Sequence, residues 1–197
     1  MIKEVVLATT NQGKVREFSK LLEGVFENVI SLKELDSPPE VIEDGVTFRD
    51  NALKKAREIA QFSGKLTLAD DSGLEVEALD GRPGVYSARY SGENATDKTN
   101  IEKLLDELGD NPNRNARFVC ILALVDPKGD ELVVEGFCEG IILNEPRGEG
   151  GFGYDPVFYL PDREKTMAEI DPELKNRISH RANACKLLAE YLLRKQD

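Results

Sequence analysis

The stretch of sequence that decides the fold is EVVLATTNQGK, residues 4–14. Its first five residues form a short apolar run of the kind that makes a buried strand. The polar residues 9–14 predict a turn, and a helix is expected after it because Val15, Phe18 and Leu22 share one face. A strand, a glycine-containing turn and a helix in this order place backbone N–H groups where an anion can bind.

The rest of the chain alternates helix-like and strand-like segments. Thr47 is placed to cap a helix, with Asp50 at the third helical position. The apolar run LTLA, residues 66–69, predicts a second buried strand. Further predicted segments are a helix over 96–108, strands over 117–125 and 131–139 joined by a turn at 126–129, and a final helix capped by Ser179. Because the last two strands suit an antiparallel hairpin, we predict an α/β fold with a mixed sheet.

Length and charge exclude several classes of protein. The 197 residues suit one domain or two closely joined lobes. The net charge of −11 repels a phosphate backbone, so general DNA or RNA binding is disfavoured. The longest apolar run, residues 118–125, is far shorter than the roughly 20 residues needed to cross a bilayer. Residues 1–14 do not follow the pattern of a signal peptide. We therefore expect a protein that is neither secreted nor membrane-bound.

Cysteine and histidine usage narrows the chemistry. Cys120, Cys138 and Cys185 lie far apart in apolar stretches and form no Cys-x-x-Cys pair. This pattern is typical of the reduced cytosol and predicts a cytoplasmic protein. The single histidine, His180, excludes a zinc site with several histidines.

An acidic pair, Asp70 and Asp71, follows the predicted strand at 66–69. The ends of strands are where α/β sheets present ligands, and two adjacent carboxylates favour a bound cation such as Mg²⁺. The alternative is an ordinary turn, because Asp, Ser and Gly are turn residues. Residues 43–45, Glu-Asp-Gly, form a second acidic segment that on its own indicates only a solvated turn.

Three other segments leave alternatives open. Residues 9–14 resemble a shortened phosphate cradle or an ordinary loop, and they lack the Walker pattern. The glycine-rich residues 150–155 allow close backbone approach and offer two aromatic rings for stacking, or form a surface loop with core aromatics. Residues 179–181, Ser-His-Arg, are donors for a carbonyl or phosphate oxygen, or ordinary residues at a helix start.

Six motifs occur in one order: TTNQGKVREF, EDG-x-TF-x-x-NA-x-x-KA, ADDSGL, PGVYSARYSG, GGFGYDPVF and SHRANA. Together they resemble the inosine/xanthosine triphosphate pyrophosphatase family, over nearly the whole chain from Leu7 to the final helix. The resemblance implies Mg²⁺-dependent hydrolysis of inosine and xanthosine triphosphates to a monophosphate and pyrophosphate, which cleanses the nucleotide pool. It also implies a single domain over residues 1–197, an elongated mixed sheet flanked by helices, two lobes with the nucleotide cleft between them, and a homodimer. Residues 83–90, with two tyrosines, are a candidate dimer contact.

The resemblance also assigns roles to residues. It implies that Asp71 is the general base and a metal ligand, and that Glu43 and Asp70 are further Mg²⁺ ligands. Lys55, four residues after Asn51 on one helix face, is expected to assist catalysis by contacting phosphate or water. The residues expected to bind the substrate are Thr9, Thr10, Asn11, Gln12, Gly13, Lys14, Ser72, Phe152, Gly153, Tyr154, Asp155, Lys175, His180 and Arg181.

The charge balance agrees with these roles. A triphosphate carries about four negative charges, so an acidic protein must gather cations to bind it. The candidates are Lys14, Lys55, Lys175, Arg181 and Mg²⁺. Donors from His180 or Arg181 would favour the C6 carbonyl of hypoxanthine and xanthine over the amine of adenine.

Two other functions remain open at this point. One is a pyrophosphatase for pyrimidine or modified nucleotides, with the same acidic site and a different base pocket. The other is a nucleotide-binding sensor without turnover, for which a general base would be superfluous.

Overall fold

The structure, a computed structural model, describes residues 2–194. The helices are α1 (Gln12–Leu21), α2 (Phe48–Ser63), α3 (Asp97–Leu108), α4 (Pro172–Ile178) and α5 (His180–Arg194). The strands are β1 (Ile2–Leu7), β2 (Phe26–Ser31), β3 (Thr67–Val76), β4 (Asn115–Val125), β5 (Glu131–Ile142), β6 (Phe158–Leu160) and β7 (Lys165–Thr166). Short 3-10 helices cover Leu32–Glu34, Glu77–Leu79, Gly84–Arg89 and Pro161–Arg163.

Within these residues the seven strands form one sheet in the order β2-β1-β3-β4-β5-β6-β7. Strand β1 pairs in parallel with β2 and β3, whereas β6 pairs antiparallel with β5 and β7. The predicted α/β fold with a mixed sheet flanked by helices is therefore confirmed. No helix along residues 2–194 combines the length and apolar character needed to span a membrane.

The chain divides into two compact units. The first comprises the residues up to Asp71, Cys120–Gly136 and the residues from Arg181 onward. Its core contains Phe18 of α1 and Leu22, the residue directly after α1, which share one face in the sequence and are fully buried. Burying apolar side chains of this size stabilises the packing of a helix on a sheet by about 1.5–3 kcal/mol each.

Helix α2, also in the first unit, has both of its ends specified by sequence. The hydroxyl of Thr47 accepts the N–H of Asp50 at 3.1 Å, which satisfies one of the free donors at the helix start. Gly64 ends the helix with φ of 64°, a left-handed conformation that glycine adopts without strain. The predicted cap at Thr47 is confirmed.

The second unit comprises Ser72–Val119 and Phe137–His180. Its core is formed by apolar side chains of β3, α3, β4 and the segment after β5, including Leu74, Leu104, Phe118 and Phe158. The predicted helix over 96–108 is confirmed as α3, with Thr96 as its cap. The single domain predicted over residues 1–197 stays a prediction, and Met1 and residues 195–197 lie outside the described residues.

Two local predictions are wrong. Helix α1 begins at Gln12, so residues 12–14 form its first turn instead of a polar turn before it. Strand β3 does not end at Ala69 but continues through Asp70 and Asp71 to Val76, which also excludes a turn at this acidic pair. Sequence periodicity misses the continuation because carboxylates interrupt the apolar run. The strand itself depends on backbone N–H and C=O groups, which these residues possess.

Candidate active site

The acidic pair lies in the interior of β3, where successive side chains point to opposite faces of the sheet. Both residues are buried, Asp70 with 1% and Asp71 with 6% of its surface exposed. Carboxylates are almost never buried to this extent without partners. The two neighbours have different partners, and this difference gives them different chemistry.

Asp70 is held between two cations. Its Oδ2 lies 2.8 Å from Nζ of Lys14 and 4.0 Å from Nε of Arg181. Burial opposes ionisation, but the positive charges of Lys14, Lys55 and Arg181 outweigh it and lower the pKa of Asp70 to about 2. Asp70 is therefore a permanently charged anchor at neutral pH.

The pKa of the Asp71 carboxyl shifts in the opposite direction to that of Asp70. Burial raises the pKa of its carboxyl from 3.8 to about 6, and the charge of Glu43 adds to the rise. The charges of Lys55 and Lys14 and a 3.0 Å hydrogen bond from Nδ2 of Asn51 act in the opposite direction. A carboxylate with a pKa close to the working pH is the group best suited to take a proton from water.

Lys55 links the carboxylates of the first unit. Its ammonium donates a hydrogen bond to Oε1 of Glu43, which lies in the loop before α2. Burial opposes the charge of Lys55, but the charges of Asp70, Asp71 and Glu43 outweigh it and raise its pKa above the ordinary value. The three carboxylates predicted to bind metal thus act on one ammonium, at a position where the field favours a cation.

The start of α1 does not offer all of its backbone N–H groups to a phosphate. Oδ1 of Asn11 accepts the N–H of Gly13 at 2.9 Å and that of Lys14 at 3.1 Å. This is an ordinary side-chain cap. The predicted cradle therefore presents the ammonium of Lys14 and exposed polar side chains, while Asn11 occupies the two backbone donors.

The other members of this segment are polar and accessible. Thr9 accepts the N–H of Asn11 with its hydroxyl at 3.2 Å, and the amide of Gln12 donates to the carbonyl of Thr10 at 3.2 Å. Thr10 and Gln12 are exposed. Their predicted contact with substrate stays a prediction.

Two residues that matter in the first unit were not identified from the sequence. Oε2 of Glu17 accepts a hydrogen bond from Arg181 at 2.9 Å, and Arg181 is 5% exposed. The signal for Glu17 is its position three residues after Lys14, one turn along α1. Asn51 lies four residues before Lys55, and this spacing identifies the helix face but not the contact with Asp71.

In the second unit, the glycine-rich loop is arranged around a buried ion pair. Nζ of Lys175 lies 2.6 Å from Oδ2 of Asp155, and both side chains are less than a tenth exposed. The same oxygen accepts the N–H of Phe152 at 2.9 Å. Gly151 has φ of 74°, and a Cβ there would lie 2.0 Å from this oxygen. Only glycine lets the loop close around the carboxylate in this way.

The aromatic residues of the second unit differ in accessibility. Phe152 is half-buried, and the ammonium of Lys175 lies 4.8 Å from its ring centroid. The ring of Tyr154 is in the core, 4% exposed, and its hydroxyl donates to the carbonyl of Ser87 at 2.8 Å. Of the two rings predicted to stack on a base, Phe152 is therefore the accessible one, and Tyr154 is a core aromatic.

The remaining predicted residues are spread along the second unit. His180 is 3% exposed, and its ring stacks on Phe118 with centroids 4.8 Å apart. The N–H of Gly153 donates to Asp97 at 2.7 Å. Ser72 is half-buried in β3.

The candidate dimer contact at residues 83–90 is only partly apolar and exposed. Tyr86 is 57% exposed, whereas Tyr90 is buried and its hydroxyl donates to Glu107 at 2.5 Å. Of the two tyrosines in this candidate contact, Tyr86 is therefore the exposed one, and the contact itself stays a prediction.

The structure thus brings the predicted residues together in two groups. The first unit gathers Lys14, Glu43, Lys55, Asp70, Asp71 and Arg181, which we call the charged cluster. The second unit gathers Phe152, Asp155 and Lys175, which we call the loop cluster. Within residues 2–194, no group of three or more His, Cys, Asp or Glu side chains is arranged to hold a metal ion.

Known proteins resemble this chain over nearly its whole length. A dITP/XTP pyrophosphatase of Desulforamulus reducens is 53% identical over 193 residues, covering 97% of this chain and 96% of the relative. One of Bacillus subtilis is 50% identical and covers 98% of both chains. The solved structure of the Staphylococcus aureus Ham1 protein superposes with a TM-score of 0.89 at 46% identity, covering 98% of this chain and 100% of that one. The model of the Ham1 family matches residues 5–191. The resemblance drawn from the six motifs is therefore confirmed, and the chain belongs to the Ham1 family.

Proposed function

We propose that the protein hydrolyses the triphosphates of hypoxanthine and xanthine nucleosides, dITP, ITP and XTP, to the monophosphate and pyrophosphate. The names of the relatives support the substrate class. The observation that carries the proposal is Asp71, a buried carboxylate whose pKa of about 6 suits proton transfer at neutral pH. It lies among lysines that can neutralise a polyphosphate.

A magnesium ion fits the charged cluster. Mg²⁺ uses one or two protein carboxylates together with substrate phosphates and water, so a group of three protein ligands is not required. Asp71 and Glu43 are the proposed ligands, and both act electrostatically on the ammonium of Lys55. Asp70 is the third proposed ligand, although Lys14 and Arg181 already engage its carboxylate. When bound, the ion polarises phosphate oxygens and lowers the pKa of water.

The residues of the charged cluster divide the work of the reaction. Asp71 accepts the proton of the attacking water. Lys55 neutralises phosphate charge and keeps Glu43 in place. Lys14 contributes a second ammonium beside the anchor Asp70. No covalent intermediate is needed, because water is the nucleophile and the pyrophosphate leaves directly.

We propose that the loop cluster and His180, all in the second unit, contact the base, and we name Arg181 of the first unit as a further donor from the resemblance. Phe152 offers a ring for stacking, which Lys175 approaches from one side. Donors from His180, Arg181 or backbone N–H groups pair with a C6 carbonyl but leave the amine of adenine facing another donor. Such a mismatch leaves buried polar groups unpaired and discriminates strongly. The preference over guanine is proposed from the resemblance alone.

In the cell, we place this activity in the cytoplasm, where it removes deaminated purine nucleotides before polymerases incorporate them into DNA or RNA. The active species is proposed to be a homodimer that uses the exposed Tyr86 and its neighbours. Light scattering at micromolar concentration tests this assembly. A dimer that Tyr86→Asp dissociates supports the interface, whereas a monomeric wild type contradicts it.

The decisive experiment is a turnover assay with inosine, xanthosine, guanosine, adenosine and pyrimidine triphosphates, with and without Mg²⁺. Pyrophosphate and orthophosphate are measured separately. Pyrophosphate from the first two substrates, and only with the metal, is the expected result. Release of orthophosphate would show that the terminal phosphate is cleaved and would contradict the proposed reaction. Turnover of pyrimidine nucleotides alone would contradict the proposed substrate class. Binding without turnover would indicate a nucleotide sensor.

A further inference from the structure

We propose that Asn51 is a positioning residue that fixes the Asp71 carboxylate and the acidic loop, residues 43–45, relative to each other. This inference rests on the proposed function, because it concerns the group assigned there as the general base. Asn51 lies on α2 and is 1% exposed. A side-chain amide is rarely buried this completely unless both of its ends are hydrogen-bonded.

Both ends of the amide have partners. Nδ2 of Asn51 donates to Oδ2 of Asp71 at 3.0 Å, and Oδ1 accepts the N–H of Gly45 at 2.8 Å. A carboxylate requires a donor and an N–H requires an acceptor, so the amide has one productive orientation. Asn51 therefore spans the space between the proposed base and the loop that carries Glu43.

Side chains of α2 hold each residue of the acidic loop. Glu43 is bound by Lys55, Asp44 by Lys54 at 2.6 Å, and Gly45 by Asn51. The three contacts differ in whether they connect the loop to a buried group. Lys54 reaches only the exposed Asp44, whereas Asn51 connects the loop to the buried Asp71.

Gly45 is required for this arrangement because of space. A Cβ at this position would lie 2.6 Å from Oδ1 of Asn51 and 2.8 Å from Cβ of Asp50. Any side chain would therefore push the amide of Asn51 away from its present place. Gly45→Ala thus displaces the amide without deleting it and provides an independent variant.

The expected consequence is a loss in kcat at nearly unchanged KM. Without the amide, the Asp71 carboxylate can rotate and the loop with Glu43 can shift, so both groups leave the productive geometry. Removing a group that hydrogen-bonds to a metal ligand or a catalytic carboxylate and orients it typically lowers activity about 10- to 100-fold. Substrate affinity depends on Lys14, Lys175 and other groups that Asn51 does not touch.

The chain offers a matched control in the second unit. Asn100, on α3, is also buried, with 4% of its surface exposed, and its Oδ1 accepts the N–H of Ser91 at 2.8 Å. Its Nδ2 donates to the carbonyls of Ser87 and Ala88. Within residues 2–194, Asn100 forms no hydrogen bond to a carboxylate and holds a loop through backbone groups, so Asn100→Ala measures the cost of losing a buried loop contact alone.

The experiment compares steady-state hydrolysis of XTP with Mg²⁺ by wild type, Asn51→Ala, Gly45→Ala, Lys54→Ala and Asn100→Ala. Asn51→Ala and Gly45→Ala are expected to lower kcat about 10- to 100-fold, with KM and equilibrium binding of XMP within about threefold. Lys54→Ala and Asn100→Ala keep kcat within about twofold, and thermal unfolding of each variant shows that it folds. In the Asp71→Asn background, Asn51→Ala loses a smaller factor than it does in the wild type, because the part of the loss that acts through Asp71 is already gone.

Three results would overturn the proposal: unchanged kcat in Asn51→Ala and Gly45→Ala, equal kcat losses in Asn51→Ala and Asn100→Ala, or a fully additive loss in the Asp71→Asn background. A wild type that releases no pyrophosphate would refute the proposed function itself. That outcome is distinct from a working wild type with an unaffected Asn51→Ala variant.

Discussion

The charged cluster and the loop cluster are both built on buried ion pairs, but their charges are distributed differently. In the loop cluster, one ammonium and one carboxylate face each other at 2.6 Å, and the loop backbone closes around them. In the charged cluster, cations and carboxylates share partners unevenly, which leaves Asp70 with a pKa of about 2 and Asp71 with a pKa of about 6. The balanced pair of Lys175 and Asp155 holds a loop closed around it, whereas the uneven charged cluster leaves one carboxyl, Asp71, with a raised pKa.

The different pKa values of Asp70 and Asp71 arise in part from strand geometry. Asp70 and Asp71 are adjacent in sequence, yet a strand directs them to opposite faces. One carboxylate meets Lys14 and Arg181, and the other meets an uncharged amide. Identical residue types therefore acquire different pKa values from their surroundings, because burial dominates at Asp71 and nearby cations outweigh it at Asp70.

The largest effect is expected from removing the proposed base. Asp71→Asn keeps the size of the side chain and can still accept from Nδ2 of Asn51, but it cannot take a proton from water. We expect kcat for XTP to fall by about 10³-fold or more, within the range known for general bases. Rapid-quench measurement of pyrophosphate release gives kcat, and equilibrium dialysis gives XMP binding, which stays within about threefold of wild type. Normal turnover by this variant would show that another group is the base.

Much of this arrangement was predictable, because it follows from local patterns. The cap at Thr47, the face shared by Asn51 and Lys55, and the six ordered motifs are all features of sequence spacing. They predicted the fold class, the family and most members of both clusters. What they could not predict is which side chains meet across the sheet.

The failures have physical causes. The strand through Asp70 and Asp71 was missed because buried carboxylates need partners that are distant in sequence, such as Arg181. Tyr154 was predicted to stack on a base because an aromatic ring suits a core and a binding site equally well, and only its contact with Ser87 decides between them. Glu17 and Asn51 act through contacts that span 164 and 20 residues.

The next effect tests the balanced pair. Lys175→Met leaves the buried Asp155 carboxylate without its ammonium, and breaking a buried pair from one side typically costs about 3–5 kcal/mol. Lys14→Met should cost less, about 2 kcal/mol, because Lys55 and Arg181 still neutralise Asp70. Urea denaturation at pH 7.5 measures both losses. Equal losses would show that the charged cluster does not share its cations as described.

A third effect concerns pH and appears without any substrate. The folded-state pKa of Asp71 lies above its ordinary value of 3.8, so the carboxyl contributes stability below pH 3.8, and this contribution is lost as the pH rises through about 6. The difference corresponds to at most about 3 kcal/mol. With a chelator present, Asp71→Asn should therefore unfold at a higher temperature than wild type at pH 8, and the gap should close towards pH 4.5. A difference in unfolding temperature that stays constant with pH would indicate that ionisation of Asp71 does not destabilise the folded protein.

The smallest effect is expected from an exposed ion pair, which serves as the reference for the buried pairs. Arg57 and Glu131 form a two-pronged ion pair at 2.5 and 2.8 Å in the first unit, with the side chains 55% and 30% exposed. Its geometry is as good as that of the buried pairs, but water screens both charges and competes for each hydrogen bond. A double-mutant cycle with Arg57→Ala and Glu131→Ala should give a coupling of about 0.5–1 kcal/mol that shrinks in 1 M salt, with kcat unchanged. A coupling as large as the loss in Lys175→Met would mean that good geometry sets the strength of these pairs. A small one means that burial does, and burial is also what raises the pKa of Asp71, the proposed base.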